Sequence, residues 1–142
     1  MRILHLLDSL DMGGKEVFTV GLAAAQKDAG HDVGIATFDP GNAFVEELAV
    51  KGIPHFQHSR KGPLDLRLVA ALRRLLISRD AELLHCHAEN PSVYGALALA
   101  FLPRIPLVVT LHSGDRGAIP FRHKLEHTIA YCRADRIVCV AP

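Results

Sequence analysis

Nine histidines in 142 residues are a high share, and several stand where an imidazole could do chemistry. His85-Cys86-His87 puts two rings two residues apart. In a strand alternate residues share a face, so His85 and His87 would point together while Cys86 points away. Two imidazoles can begin a metal site, or each can simply be hydrogen-bonded at a strand end. No nearby ligand set completes a zinc shell, so no metal is expected. His123 and His127 lie one helical turn apart, but Glu126 is in the wrong frame for H-E-x-x-H. His112 closes Val108-Val109-Thr110-Leu111 and leads into the turn-forming group Ser113-Gly114-Asp115. A histidine there can donate to a substrate hydroxyl or carbonyl near neutral pH, or can serve only its own loop. Gly13 and Gly14 sit where a loop becomes a helix, and lacking Cβ they let backbone N–H groups approach a phosphate at the helix's positive end. A tight strand-to-helix turn alone would call for the same pair.

Several chemistries are excluded by what is missing. There is no G-x-G-x-x-G fingerprint, and Lys15 follows the glycines outside the frame of a G-x-x-x-x-G-K-[ST] phosphate loop. A serine hydrolase would need G-x-S-x-G, and a receiver domain would need an acceptor aspartate where the sequence reads Gln57-His58-Ser59. Sixteen Lys plus Arg balance 15 Asp plus Glu, and with no Trp and two Tyr the chain lacks both the charge and the stacking platform of a nucleic-acid binder. Cys86, Cys132 and Cys139 match no paired zinc pattern. With no signal peptide or long apolar run before them, they are expected as reduced thiols of a cytoplasmic protein.

The elements that must position these residues follow from periodicity. Arg2 to Leu7 is a nearly continuous apolar run, as expected of a strand covered on both faces. A helix follows from about Lys15 to Ala29, with Phe18, Leu22, Ala25 and Ala29 on one face and Gly30 closing it. Asp32 to Phe38 and Ile53 to Gln57 read as strands flanking a short helix from Ala43 to Lys51. Leu64 to Arg79 sets Leu68, Leu72 and Leu75 against Arg67, Arg73, Arg74 and Arg79, an amphipathic helix. Glu82 to Cys86 is a fourth strand. Asn90 and Pro91 are expected as N-cap and first-turn residues of a helix running to about Leu102 that is apolar nearly all round, hence deeply packed or an interface. Leu107 to Leu111, a helix from Phe121 to Arg133 with Phe121, Leu125, Ile129 and Cys132 inward, and Arg136 to Val140 complete the pattern. Six strands separated by helices require a parallel sheet, so the expectation is one α/β domain over residues 1–142, doubly wound and Rossmann-like, three layers deep, with order 3-2-1-4-5-6. Ligands of such sheets bind beyond the carboxyl ends of the strands. That rule selects the loops Asp8 to Gly14, His85 to Asn90 and His112 to Pro120.

Taken together, Arg2-Ile3-Leu4-His5-Leu6-Leu7-Asp8-Ser9-Leu10-Asp11-Met12-Gly13-Gly14-Lys15-Glu16, Ala29-Gly30-His31-Asp32-Val33, Lys51-Gly52-Ile53-Pro54, Ala81-Glu82-Leu83-Leu84-His85-Cys86-His87, Pro106-Leu107-Val108-Val109-Thr110-Leu111-His112 and Ala134-Asp135-Arg136-Ile137-Val138 run in family-like order and spacing. The whole chain thus resembles the amino-terminal domain of retaining GT-B-fold glycosyltransferases of family 4. The resemblance implies transfer of a sugar from a nucleotide-sugar donor to a glycan, lipid or small-molecule acceptor, with retention and without metal or cofactor. It makes His112 the catalytic candidate beside the transferred sugar. Asp11, Gly13, Gly14, Glu16, His87, Glu89 and Ser113 become the candidates for donor-phosphate or acceptor binding. Ser113 stands where the family often has glycine, and Lys15 where alanine is common. The donor-binding carboxyl-terminal domain of such enzymes has no counterpart in these residues, so the chain alone is expected to be inactive. Two other readings stay open: a stand-alone phospholigand-binding or protein-interaction module using the apolar helix after Ser92, and a metal-dependent sugar deacetylase using His85, His87 and His112. Leu64 to Arg79 could also rest on an anionic membrane, at the inner face.

Overall fold

A computed structural model describes residues 1–62, 64–100, 102, 105–112, 128 and 130–140. The strands are β1 (Arg2–Leu7), β2 (Asp32–Thr37), β3 (His55–Gln57), β4 (Leu83–His87), β5 (Leu107–Leu111) and β6 (Arg136–Cys139), and the helices are α1 (Gly14–Asp28), α2 (Val45–Val50), α3 (Leu66–Ser78) and α4 (Glu89–Leu99). All strand pairs are parallel and their order is β3-β2-β1-β4-β5-β6. This is the doubly wound, Rossmann-like arrangement expected from the sequence.

The period-two alternation of each strand divides its side chains between two cores. Leu4, Leu6, Leu84, Cys86, Leu107 and Val109 face one layer, where Leu68, Leu72 and Leu76 of α3 and Tyr94 and Ala98 of α4 cover them. Ile3, Leu7, Val33 and Ile35 face the other, beneath Val20 and Ala23 of α1 and Leu48 of α2. Each of the fully buried Leu, Ile and Val side chains among them contributes roughly 1.5–3 kcal/mol. The second face is not apolar throughout: along β1, β4 and β5 it carries His5, His85, His87 and Thr110, all buried.

Helix ends follow their local chemistry. Gly30 (φ 87°) and Gly52 (φ 62°) take the left-handed conformation just past α1 and α2. Asp65 caps α3, accepting from the backbone N–H of Arg67 at 2.9 Å and of Lys61 at 2.9 Å. The Lys61 and then the Arg67 N–H hold its carboxyl below the usual range, against the effect of burial.

Helix α4 departs from expectation in two ways. It begins at Glu89, with Ala88 and not Asn90 as N-cap. β4 runs through His87, so the chain turns at a single residue, Ala88, at φ 85° and ψ 176°. Pro91 is accommodated because the first-turn N–H groups of a helix have no intrahelical acceptor. The apolar surface of α4 is explained by deep packing: Tyr94, Gly95, Ala96, Ala98 and Leu99 are buried, and a Cβ on Gly95 would lie 2.6 Å from Cys86 Sγ. Of the residues expected inward on the helix after β5, Cys132 is exposed, while Phe121, Leu125 and Ile129 lie outside the described residues.

Candidate functional site

Because β1, β4 and β5 are neighbours in the sheet, the described residues just past their carboxyl ends, as far as His112 after β5, come together. There an open cleft of about 540 Å³ is lined by Gly14, Lys15, Glu16, Phe18, Ala88, His112 and Val140. A hollow of similar size, about 530 Å³, is lined by Leu99, Ala100, Leu102 and residues 132–135. It sits where the chain enters β5 and β6, the wrong end of the sheet for a ligand of this fold.

Helix α1 supplies most of one wall. Gly14 has nothing within 4 Å of where its Cβ would be, so its backbone stands open to the cleft. Gly13 acts differently: its φ of −167° suits any residue, and a Cβ there would meet Glu16 Oε2 at 2.5 Å, so a larger residue would push the Glu16 carboxylate aside. The Glu16 carboxylate is thus folded back on the first turn, at the end of the helix that favours negative charge. Lys15 Nζ donates to Asp8 Oδ2 at 2.7 Å and lies 3.4 Å from Glu16 Oε1. Burial alone would lower the Lys15 ammonium, but Asp8 and then Glu16 hold it above its ordinary value. One cation between two carboxylates leaves this wall with a negative balance. It suits hydroxyl groups better than a free diphosphate.

The loop after β1 is fixed from outside. Ala43 N–H donates to the Leu10 carbonyl at 3.0 Å, and a Cβ on Gly41 would lie 2.8 Å from Asp11 N and 2.9 Å from Leu10 N. Asp11 is exposed on this loop, accepts from Ser9 Oγ at 3.3 Å and does not line the cleft. Glu89 opens α4 beside Ala88 but is likewise not a lining residue. Ser113 lies outside the described residues.

His87 requires a correction. Proposed from sequence as a ligand contact, it is 0% exposed and stands behind His112, with both ring nitrogens already engaged. His87 Nδ1 is 3.2 Å from His112 Nε2, and His87 Nε2 is 3.0 Å from His5 Nδ1. His5 Nε2 donates to Gln26 Oε1 of α1 at 2.7 Å. His85 stacks on His87 with centroids 4.2 Å apart and is paired through Nε2 to Thr110 Oγ1 at 2.7 Å. Phe18 packs its edge on the His112 ring, 5.1 Å between centroids. Of these partners, sequence reasoning missed His5, Gln26, Phe18 and the loop-packing Gly41. The only legible signal was His5 alternating with Ile3 and Leu7 on one strand face.

Burial sets the charge state of this cluster. It pushes His5 down to about 4, opposed only by the Gln26 hydrogen bond. It pushes His85 down to about 3, with His5 and His112 adding to the effect. His87 is driven further still, by burial first and then by the surrounding histidines and Lys15. His112 is lowered by burial and by Lys15, with Glu16 pulling the other way. All four rings are therefore neutral at pH 7.

Neutral imidazole is the form that binds metal, and His5, His85 and His87 could offer ligand atoms within 4.8 Å of one another. The ring geometry favours a different use. His85 and His87 are stacked at 28°, so their in-plane lone pairs run side by side and do not converge, and the short His5–His87 contact is a hydrogen bond. Cys86 points into the opposite core, and burial pushes its thiol well above the ordinary range.

A parallel sheet of this order, with an open cleft at the carboxyl ends of β1, β4 and β5, is a Rossmann-like α/β domain with its ligand cleft where such sheets place it. The chain belongs to Glycosyltransferase Family 4, whose family model matches residues 12–142. Among solved structures it is similar to Anabaena Alr3699/HepE in complex with UDP, with 25% identity and a TM-score of 0.76 over 96% of this chain and 37% of that one. A glycosyltransferase from Rickettsia africae is 15% identical with a TM-score of 0.76, covering 99% of this chain and 37% of that one. Acinetobacter baumannii MurG is 17% identical with a TM-score of 0.68, covering 100% of this chain and 41% of that one. The chain therefore spans well under half the length of these relatives. No curated protein matches it by sequence.

Proposed function

We propose that this chain forms the acceptor-side half of an enzyme that moves a sugar from a nucleotide-sugar donor to a glycan, lipid or small-molecule acceptor, with retention and without a metal or cofactor. The observation that carries this reading is the cleft where Gly14, Glu16 and His112 converge at the carboxyl ends of β1 and β5. Alr3699/HepE, solved with UDP and also with UDP and glucose, supports the donor class. In this reading His112 touches the transferred sugar, Gly13 and Gly14 allow the donor's phosphate region to approach, and Asp11, Glu16, Glu89 and Ser113 contribute to the acceptor and donor surroundings.

The negative balance at Asp8, Lys15 and Glu16 means that a departing nucleotide diphosphate must find its cations elsewhere, since that charge has to be met by preorganised donors. A second, donor-binding domain supplies them. The 142-residue chain alone is then expected to show no sugar transfer and negligible donor hydrolysis across a panel of nucleotide sugars, whereas the chain joined to such a domain turns over. Robust turnover by the isolated chain would sink the proposal.

The enzyme would act in the cytoplasm, at the inner membrane face. Among the described residues no helix is long and apolar enough to cross a membrane. However, α3 exposes Leu66 (69%) and Ile77 (55%) beside Arg67 and Arg74, a surface suited to anionic headgroups. Co-flotation with anionic but not neutral vesicles is expected, and its loss in Arg67→Glu/Arg74→Glu would trace the contact to α3. Deep packing of α4 removes the main argument for an interaction module.

A further inference from the structure

The histidines behind the cleft form a line of alternating donors and acceptors that is anchored at one end. A neutral imidazole has one N–H and one lone pair, so each hydrogen bond in such a line fixes the next. Gln26 Oε1 can only accept, so His5 carries its proton on Nε2 and leaves Nδ1 bare. His5 Nδ1 then accepts from His87 Nε2–H at 3.0 Å, which leaves His87 Nδ1 bare. His87 Nδ1 accepts in turn from His112 Nε2–H at 3.2 Å. We propose that Gln26, His5 and His87 are positioning residues that set the tautomer of His112, so that its bare Nδ1 is offered to the cleft and takes a hydrogen bond from a sugar hydroxyl and not from an anion.

The surroundings make the line hard to bypass. His5 and His87 are each 0% exposed, so no solvent can mend a mismatched link, and two facing lone pairs or two facing N–H groups would be left buried. Charging an interior ring is no escape, because burial keeps His5 and His87 neutral. His112 meets Lys15, Glu16 and Phe18 from α1, His87 from β4 and Val140 after β6. Among the described residues its Nδ1 has no partner. His85 stands beside the line, held to Thr110, and does not relay it. The sense of the whole line depends on Gln26: a group that donated to His5 Nε2 would reverse every link and place the proton on His112 Nδ1.

The hydroxyl preference rests on the proposed sugar-transfer role, whereas the tautomer itself can be read with no sugar present. Two-bond proton–nitrogen correlation NMR on the 142-residue chain, with ring-15N histidine at pH 7, assigns each ring. The wild type is expected to show His5, His87 and His112 each with its proton on Nε2. Gln26→Leu, which removes the anchor, should turn His112 into a mixture of tautomers. Gln26→Lys, which can only donate from an ammonium, should move the His112 proton to Nδ1, with His85 unchanged in both variants. A wild-type His112 protonated on Nδ1 or already mixed would overturn the proposal, as would a His112 tautomer unmoved by Gln26→Leu in a folded chain. A zinc titration supplies a separate check: stoichiometric uptake with loss of the ring N–H signals of His5 and His87 would show a metal centre in place of the line. If sugar transfer fails while the tautomers behave as stated, only the proposed enzymatic role falls.

Discussion

His112 and Lys15 divide the cleft's electrostatics between them. Lys15 is tied down by Asp8 and Glu16, so its charge is largely spent inside the protein, and burial first, then what remains of that charge, disfavours an imidazolium at His112. His112 thus lines the cleft as a ring whose charged form is disfavoured. His112→Ala in a complete enzyme is expected to lower turnover by roughly 10²-fold, the scale of a positioned acid–base or hydrogen-bonding group, while the thermal midpoint stays near that of the wild type. Unaltered turnover would remove His112 from the mechanism. The buried rings also make stability depend on pH. Their folded values lie below the unfolded value of 6.5, so the unfolded chain binds more protons between the two. Stability is therefore full above about pH 6.5 and falls as pH drops toward 4, with His5 alone accounting for on the order of 3 kcal/mol. Urea midpoints at pH 7 and pH 4.5 measure this, and equal midpoints would contradict the buried neutral state.

At the scale of elements, two turns and one helix contact carry the site. Ala88 makes the strand-to-helix turn in a backbone region that is essentially reserved for glycine. Ala88→Gly should therefore raise stability by about 1 kcal/mol in urea denaturation, and an unchanged or lowered midpoint would contradict the strain at this turn. Gly41 presses on the backbone of Leu10 and Asp11, not on a yielding side chain. Gly41→Ala should displace the β1–α1 loop, seen as amide shifts in Asp11 to Gly14, and should weaken ligand binding more than it weakens the fold. Gly95 lets α4 approach Cys86 and Leu84. Gly95→Val would overpack that contact and is expected to cost about 1–3 kcal/mol.

For the whole molecule, order in the sheet matters more than any single loop. β1, β4 and β5 are distant in sequence but adjacent in space, so Gly14, Ala88 and His112 become one surface. That surface is one wall with a negative balance, and family relatives are more than twice as long as this chain. The proposed sugar transfer would accordingly need a second wall facing this one. On the proposed sugar-transfer role, titration of the isolated chain with a nucleoside diphosphate is expected to show binding at least tenfold weaker than that of the chain joined to a donor-binding domain, because only one side of the diphosphate would be met. Equal affinity would place the nucleotide site within these 142 residues.

The strands, the order of elements and the family were legible in the sequence, because continuous apolar runs, helical periodicity and glycine stops act locally and repeat in a fixed grammar. The pairing register was not. Nothing local says that His5 lies beside His85, or that His87 and Thr110 share a rung. The sequence therefore placed His87 at a ligand, while the tertiary structure puts it between His5 and His112, one layer behind the cleft. Asn90-Pro91 failed as a helix start for a related reason: strand β4 is held by its neighbours through His87, which forces the turn onto Ala88. Residue types and local periodicity determined which elements form and which family they compose. Only long-range strand pairing and burial decided which histidine lines the cleft, which ones face each other, and that His5, His85 and His87 are held neutral.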